Sequence, residues 1–373
     1  IDNPPVNALS RPVIEGLIAG VAQFERDAAA RILVIRCAGR TFVAGGDIAL
    51  FDDPAFSAAP LNRVLSRIAA SERPVIAALF GSVLGGGLEV AMACHGRIAA
   101  QGTTFGMPEI RLGLIPGSHG TQRLPRLVGL AAGARMIATG DPIGTDEALR
   151  IGLIDLIGDP ADDRALAELG SRIALRDHHS DAAPASAADR AILDGLRQTA
   201  EARAHEPAYR AIAETLAAAV ERPFAQGIAV EAEWFARLVP SAAARAQRHL
   251  FFAERSARSV PGLTRDGPTR PVAQVGILGA GTMGRGIALS FALAGFPVVV
   301  SEADPAGLEE ARVQRGAALD ALARRGRIPA DQADAAMARI DGATEIEALA
   351  GSDLVIEAAS EGLDTKLAGA PRL

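Results

Sequence analysis

Cysteine is scarce in this 373-residue chain: Cys37 and Cys94 stand far apart and outside any CxxC or His-paired spacing. That leaves no material for a zinc site or a disulfide framework and fits a reducing compartment, a bacterial cytoplasm first and the peroxisome as the alternative. Positive charge is also short. Lys and Arg number 38 against 44 Asp and Glu, giving a formal charge of −6, and no basic stripe is interleaved with aromatics, so nucleic acid is not an expected partner. No uninterrupted apolar run long enough for a membrane span occurs. The longest apolar stretch, Val272 to Val300, holds Arg285 and five glycines between Gly276 and Gly286, which reads as strand, glycine turn and helix and argues against membrane insertion. No charged n-region and apolar h-region precede a cleavage site. The chain opens on Ile1 in what reads as the middle of an element, so its N-terminus reads as truncated or processed.

What is present is ordinary for a globular protein, with 49% apolar and 22% charged residues over a length that predicts two or three domains. From Arg31 to Ala100, β-branched runs (Ile32 to Ile35, Val75 to Leu79) alternate with Gly-rich turns and Ala/Leu helical patterns, which predicts an α/β fold. A helix is expected from Thr145 as cap, with Asp146 and Glu147 in its first turn, closing at Ile151-Gly152 before a strand-like Leu153 to Ile157. Between Asp181 and Arg258 glycine thins out and apolar residues take helical spacing, as in Tyr209, Ile212, Leu216 and Val220. The breakers Val260-Pro261-Gly262 and Asp266-Gly267-Pro268 then mark a boundary. The expected organisation is a first domain over residues 1–180, a helical connector over 181–268, and a further domain over 269–373.

Two carboxylates stand out. Gly85-Gly86-Gly87-Leu88-Glu89 runs directly into the apolar helix pattern Val90 to Cys94, and Phe105-Gly106-Met107-Pro108-Glu109-Ile110 places a second Glu among apolar residues. Glycines let a backbone approach a ligand closely, and a following helix N-terminus supplies N–H donors. Taken singly, Glu89 reads equally well as a first-turn carboxylate favoured by the helix dipole, and Glu109 as an exposed loop carboxylate. Together they match what adding water to a conjugated thioester needs: a group to activate water, a group to protonate the α-carbon, and donors for the developing enolate oxygen.

Asn3-Pro4-Pro5-Val6-Asn7-Ala8-Leu9-Ser10, Phe42-Val43-Ala44-Gly45-Gly46-Asp47-Ile48, the two Glu segments, and Leu114-Ile115-Pro116-Gly117 with Gly120-Thr121-Gln122-Arg123-Leu124-Pro125 resemble, in order and spacing, the crotonase (enoyl-CoA hydratase/isomerase) family. The resemblance covers roughly the first half of the chain and implies a crotonase-like spiral of ββα units. It also implies catalytic roles for Glu89 and Glu109 and an oxyanion hole made by the N–H groups of Gly46 and Gly86. The implied reaction is syn hydration of a trans-2-enoyl-CoA, with Glu89 activating water and Glu109 protonating the α-carbon, and with Δ3-Δ2-enoyl-CoA isomerisation as a possible companion. Coenzyme A would enter as part of the acyl-CoA thioester substrate. Two positions depart from the family pattern: Ala49 replaces a Lys or Arg expected near the CoA phosphates, and Ser118-His119 replaces a small Ala-Gly type pair. His119 reads either as a third catalytic group or, more simply, as a tolerated residue at a helix start.

In the last third, Gly279-Ala280-Gly281-Thr282-Met283-Gly284 follows an apolar strand and opens a helical pattern, Ile287 to Ala294. This is the context a dinucleotide-binding G-x-G-x-x-G requires. Glu302 follows Gly279 by 23 residues, near the roughly 20-residue offset of a ribose-binding carboxylate. NAD is the expected cofactor, held by Gly279, Gly281, Thr282, Met283, Gly284 and Glu302. This segment, with Ser352-Asp353-Leu354-Val355-Ile356-Glu357-Ala358, resembles the N-terminal part of a 3-hydroxyacyl-CoA dehydrogenase. A crotonase unit, a helical connector and a dehydrogenase start in that order resemble the multifunctional enzymes of fatty-acid β-oxidation. None of the six histidines (His95, His119, His178, His179, His205, His249) follows the glycine loop. The dehydrogenase part is therefore expected to be a partial Rossmann-type domain, binding NAD weakly or not at all, in a chain that works as a monomer. The competing readings are other acyl-CoA chemistry on the crotonase scaffold (dehalogenation, decarboxylation, thioester hydrolysis) and a non-catalytic acyl-CoA- and NAD-binding protein.

Overall fold

The computed structural model describes residues 1–53, 55–173, 175, 185–257 and 270–362. The chain forms two compact units, Ile1–Pro261 and Gly262–Leu373. The breaker clusters around Pro261 and Gly267 lie outside the described residues.

In the first unit the strands come in pairs. Val75–Leu79, buried at every position, is followed after a turn at Gly81 by Ser82–Leu84 and then by the helix Gly86–Ala93. Gly81 has φ +64, and a Cβ there would lie 2.5 Å from the Arg40 carbonyl oxygen, so this corner requires glycine. The next turn of the spiral repeats the plan with Gly96–Ala99, Thr104–Gly106 and a 3-10 turn, Pro108–Leu112. First members of the pairs join one parallel sheet, ordered Leu33–Ile35, Val75–Leu79, Gly96–Ala99, Leu156–Ile157. Second members join another, in which Ser82–Leu84 pairs parallel with Thr104–Gly106, and Ile143–Gly144 pairs antiparallel with the latter. A parallel strand covered on both faces reads as a continuous apolar run, which is why Val75–Leu79 shows no alternation. The ββα spiral expected of the first half is the fold found.

The segment read as a connector is helical as expected: Ala187–Ala202, Pro207–Glu221, Phe224–Leu238 and Ala242–Ala257. It packs into the first unit. Leu193, Ala208, Ile212, Leu216 and Phe235 belong to the same buried cluster as Val75, Leu79, Val90 and Met92. One local expectation fails. The helix Thr145–Arg150 is preceded by Gly144 as its N-cap, and Thr145 sits inside it. Its hydroxyl donates instead to the Thr103 carbonyl at 3.0 Å, tying the helix to the neighbouring loop rather than capping it.

The second unit has a parallel sheet ordered Ile340–Ala343, Val298–Ser301, Val275–Leu278, Leu354–Glu357. The order reverses at Val275–Leu278, the first strand of the unit, which places a topological switch point beside the glycine loop that follows it. Helix Thr282–Leu293 covers this sheet through Ala288 and Ala292, which pack with Val275, Ile277, Val298 and Val300. No helix among the described residues is long and apolar enough to cross a membrane.

Candidate active site

Two isolated bridges, Leu9 to Gly46 and Ala44 to Leu84, bring the Gly45-Gly46 loop against the Gly85–Gly87 loop. The three glycines of that loop serve different ends. Gly85 is left-handed at φ +50, and a side chain there would meet Glu109 Oε1 at 2.5 Å. Gly87 is required by packing, since a Cβ would fall 2.0 Å from the Val43 carbonyl oxygen. Gly86 faces the Gly46 amide: the position of its absent Cβ is 3.7 Å from Gly46 N and 3.9 Å from Glu89 Oε2. Gly86 is also the first residue of its helix, where an N–H has no intrahelical acceptor. Among the described residues neither the Gly46 nor the Gly86 N–H has a hydrogen-bond partner. Both line a cavity of about 80 Å³ together with Leu9, Glu89, Glu109 and Ser118.

Glu89 and Glu109 therefore share one small chamber, but they are held differently. Glu89 is 3% exposed, and its Oε1 accepts the N–H groups of Ser118 at 2.7 Å and Gly120 at 2.9 Å. Gly120 makes this approach possible, because a Cβ there would lie 2.7 Å from that oxygen. Burial pushes the Glu89 carboxyl up to about 7, against the two N–H donors and the buried guanidinium of Arg123, which favour the ionised form. Glu109, on the 3-10 turn Pro108–Leu112, has a buried Oε2 with no hydrogen-bond partner. Burial first, and the nearby Glu89 second, push its carboxyl up to about 8. Of two like-charged groups in one chamber, the one with hydrogen-bond donors ionises first, so Glu89 gives up its proton more readily than Glu109.

A cleft of about 700 Å³ adjoins this chamber and shares Phe51, Phe56, Gly117 and Phe235 with it. Phe51 and Phe56 meet edge to face with centroids 4.9 Å apart, and Phe51 packs similarly on Phe235 at 6.0 Å. Arg245 and Arg248 also line the cleft, Arg248 paired with Asp52 at 2.7 Å. His119 is not part of the chamber lining. It caps helix Gly120–Val128 in a left-handed conformation, φ +75, and its ring packs edge-on against Phe224 with centroids 5.9 Å apart. This agrees with the simpler of its two readings.

One residue of this region lay beyond the motif reading. Glu231, on helix Phe224–Leu238, is 1% exposed and accepts the N–H of His119 at 2.6 Å, the N–H of Thr121 at 2.9 Å and the Thr121 hydroxyl at 2.5 Å. Its signal in the sequence is a carboxylate inside the buried stripe Phe224, Gly227, Glu231, Phe235, Leu238, where helical spacing calls for apolar residues.

In the second unit, Gly279 is left-handed at φ +102, and a side chain there would meet the Ala358 carbonyl oxygen at 2.8 Å. Gly284 lets the helix close on the strand, since a Cβ would fall 1.9 Å from the Gly279 carbonyl oxygen. At Gly281 a Cβ would meet nothing within 4 Å, so the space in front of the loop is open. Thr282 and Met283 begin the helix, Met283 being 71% exposed, and Glu302 directly follows Val298–Ser301 with its Oε2 2.9 Å from the Ala280 N–H. A tight turn, an open approach and a close helix contact are the three roles a dinucleotide loop asks of its glycines, so these residues fit NAD.

Residues 1–172 match the family described as enoyl-CoA hydratase/isomerase, and residues 274–369 match the 3-hydroxyacyl-CoA dehydrogenase NAD binding domain. The chain joins a crotonase-family domain to a 3-hydroxyacyl-CoA dehydrogenase NAD-binding domain. The crotonase domain and its neighbour together are similar to the peroxisomal bifunctional enzyme of Homo sapiens, at 36% identity over 378 residues, covering 98% of this chain and 52% of that protein. They are likewise similar to the peroxisomal fatty acid beta-oxidation multifunctional protein AIM1 of Arabidopsis thaliana, at 35% identity over 384 residues, with 98% and 53% covered. The chain thus spans about half the length of these curated relatives. Among solved structures, Pseudomonas aeruginosa DspI is 32% identical, covering 54% of this chain and 82% of that one with a TM-score of 0.41. A crystal structure described as that of a "Putative enoyl-coA hydratase" from Mycobacterium avium paratuberculosis K-10 is 28% identical, covering 68% and 89%, with a TM-score of 0.49.

Proposed function

We propose that the crotonase domain hydrates trans-2-enoyl-CoA thioesters, with Glu89 as the base that takes a proton from water and Glu109 as the acid that delivers one to the α-carbon. The observation that carries this reading is the chamber itself. It holds two carboxyls with raised pKa, one fixed by two N–H donors and one with an unpartnered oxygen, beside two amide N–H groups without acceptors. A thioester carbonyl placed on the Gly46 and Gly86 amides has its developing enolate charge met where it forms. The aromatic wall of the adjoining cleft suits the apolar parts of the thioester, and the exposed Arg245 offers the cation that Ala49 does not. The relatives' names support a place in fatty-acid β-oxidation and, for the compartment, the peroxisomal alternative. A monomer is the working unit in this reading, checked by light scattering.

The test is a hydratase assay of the purified chain on trans-2-enoyl-CoA substrates of graded acyl length, read as loss of enoyl absorbance. Turnover sensitive to Glu89→Gln and Glu109→Gln supports the proposal, and no turnover at any length defeats it. Parallel assays with a Δ3-enoyl-CoA measure isomerisation by the same two carboxyls.

For the second domain we propose NAD binding through Gly279, Gly281, Thr282, Met283, Gly284 and Glu302. NAD supplies hydride-transfer chemistry when bound. The residues here bind and orient it: the open Gly281 and the N–H groups of the helix start receive the pyrophosphate, and Glu302 takes the adenosine ribose hydroxyls. Titration calorimetry should show NAD binding that Gly281→Val abolishes and Glu302→Ala weakens at least tenfold. Binding untouched by both variants would place the cofactor elsewhere.

A further inference from the structure

The segment Ser118–Thr121 is gripped from two sides. Its successive backbone N–H groups alternate between two carboxylates: those of Ser118 and Gly120 go to Glu89, those of His119 and Thr121 to Glu231. The helix Phe224–Leu238 meets this segment along one face. Residues four apart lie above one another on a helix, and here three of them contact the segment in reverse order. Phe235 packs where a side chain on Gly117 would stand, 2.5 Å from its ring. Glu231 takes the N–H groups of His119 and Thr121. Gly227 lies against Gln122, where an added Cβ would fall 2.0 Å from the side-chain oxygen.

We propose that Glu231 is a positioning residue for hydration: it holds the Ser118–Thr121 backbone in place, and through that backbone fixes the catalytic carboxylate of Glu89. The proposal rests on the reading of Glu89 as the base. Three donors converge on Glu231, which is 142 residues from Glu89 in sequence, and the same loop closes the circuit between them. The loop has reason to move without it. His119 is left-handed at φ +75, a conformation costly for a residue with a side chain and stable only where its surroundings impose it. With Glu231 gone, two buried N–H groups and the Thr121 hydroxyl lose the acceptor they share. A displacement of about 1 Å at a catalytic group costs on the order of 10²-fold in rate.

The experiment uses the full chain and four forms: wild type, Glu231→Gln, Glu89→Gln and the double variant, with Glu231→Asp as the conservative replacement. Glu231→Gln keeps the size of the side chain but turns an N–H toward one of the donors that Glu231 accepts. It is expected to lower kcat roughly 10- to 100-fold while KM stays within about threefold. Glu231→Asp, which keeps the carboxylate, should recover a substantial part of that loss. Because Glu231 acts through Glu89, its substitution should cost much less in the Glu89→Gln background than in wild type. A folded Glu231→Gln protein with unchanged kcat overturns the proposal. So does an equal loss in both backgrounds, or a loss carried by KM alone. A Glu89→Gln protein with normal turnover instead removes the base assignment, a distinct outcome.

Discussion

Replacing Glu109 by Gln is expected to lower kcat for hydration of a trans-2-enoyl-CoA by about 10²–10⁴-fold, the usual contribution of a positioned acid or base. The amide keeps the shape of the side chain and removes the proton that the α-carbon receives. Glu89→Gln should fall in the same range, because its loss leaves the water without a base. The pH profiles should separate the two roles. Burial raises both carboxyls and the N–H donors on Glu89 favour its ionised form, so the active form of the pair, one ionised and one protonated, is most populated between the pair's two apparent pKa values, and activity should be bell-shaped. The alkaline limb should vanish from the residual activity of Glu109→Gln.

The same substitution should change stability in a pH-dependent way. A carboxyl whose folded pKa is about 8 against an ordinary 4.5 binds its proton more tightly in the folded protein. Its contribution is fully present below pH about 4.5 and is lost as pH rises through about 8. The neutral amide of the Glu109→Gln variant has no charge to bury, so the Tm of that variant should exceed that of wild type by a margin that grows from pH 5 to pH 9, measured by calorimetry. A constant or shrinking margin would show that Glu109 ionises in the folded protein as easily as in water.

The second large effect is expected at the oxyanion donors. Gly86→Pro deletes one N–H at the first position of helix Gly86–Ala93, where proline is tolerated and no intrahelical bond is lost. Removing one such donor in other enzymes costs roughly 2.7–4 kcal/mol, about 10²–10³-fold in kcat. Sterics must be separated from chemistry, because any Cβ at this site lies 2.8 Å from Leu9 Cδ1, the movable end of a side chain. Gly86→Ala carries the same Cβ and keeps the N–H, so the ratio of the two variants removes the Cβ contact and reads the loss of the donor together with the proline ring that replaces it. If folded Gly86→Pro turns over within about threefold of Gly86→Ala, the enolate oxygen is not held by this amide.

Contiguous motifs determined a large part of this protein from sequence alone. Gly85 to Glu89 and the glycine loop at Gly279 each place a turn, a helix start and their chemistry within a few residues, so local backbone requirements and function are written together. Glu109 was readable only beside Glu89 and the ordered motifs, since taken singly it reads as an exposed loop carboxylate, and the strand after the boundary because an apolar run before G-x-G-x-x-G has one economical arrangement. Tertiary structure decided the rest. Thr145 has the composition of a cap, yet its hydroxyl is satisfied by the Thr103 carbonyl, a partner 42 residues away that no local rule selects. The helices of 185–257 were visible as helices, but periodicity gives a buried face without saying what it is buried against, and here that partner is the core beneath the active site. Glu231 shows the limit most clearly. A lone Glu in a helix is usually solvated, and only the docking of its stripe on residues 117–122 turns it into an anchor for two backbone N–H groups more than a hundred positions earlier.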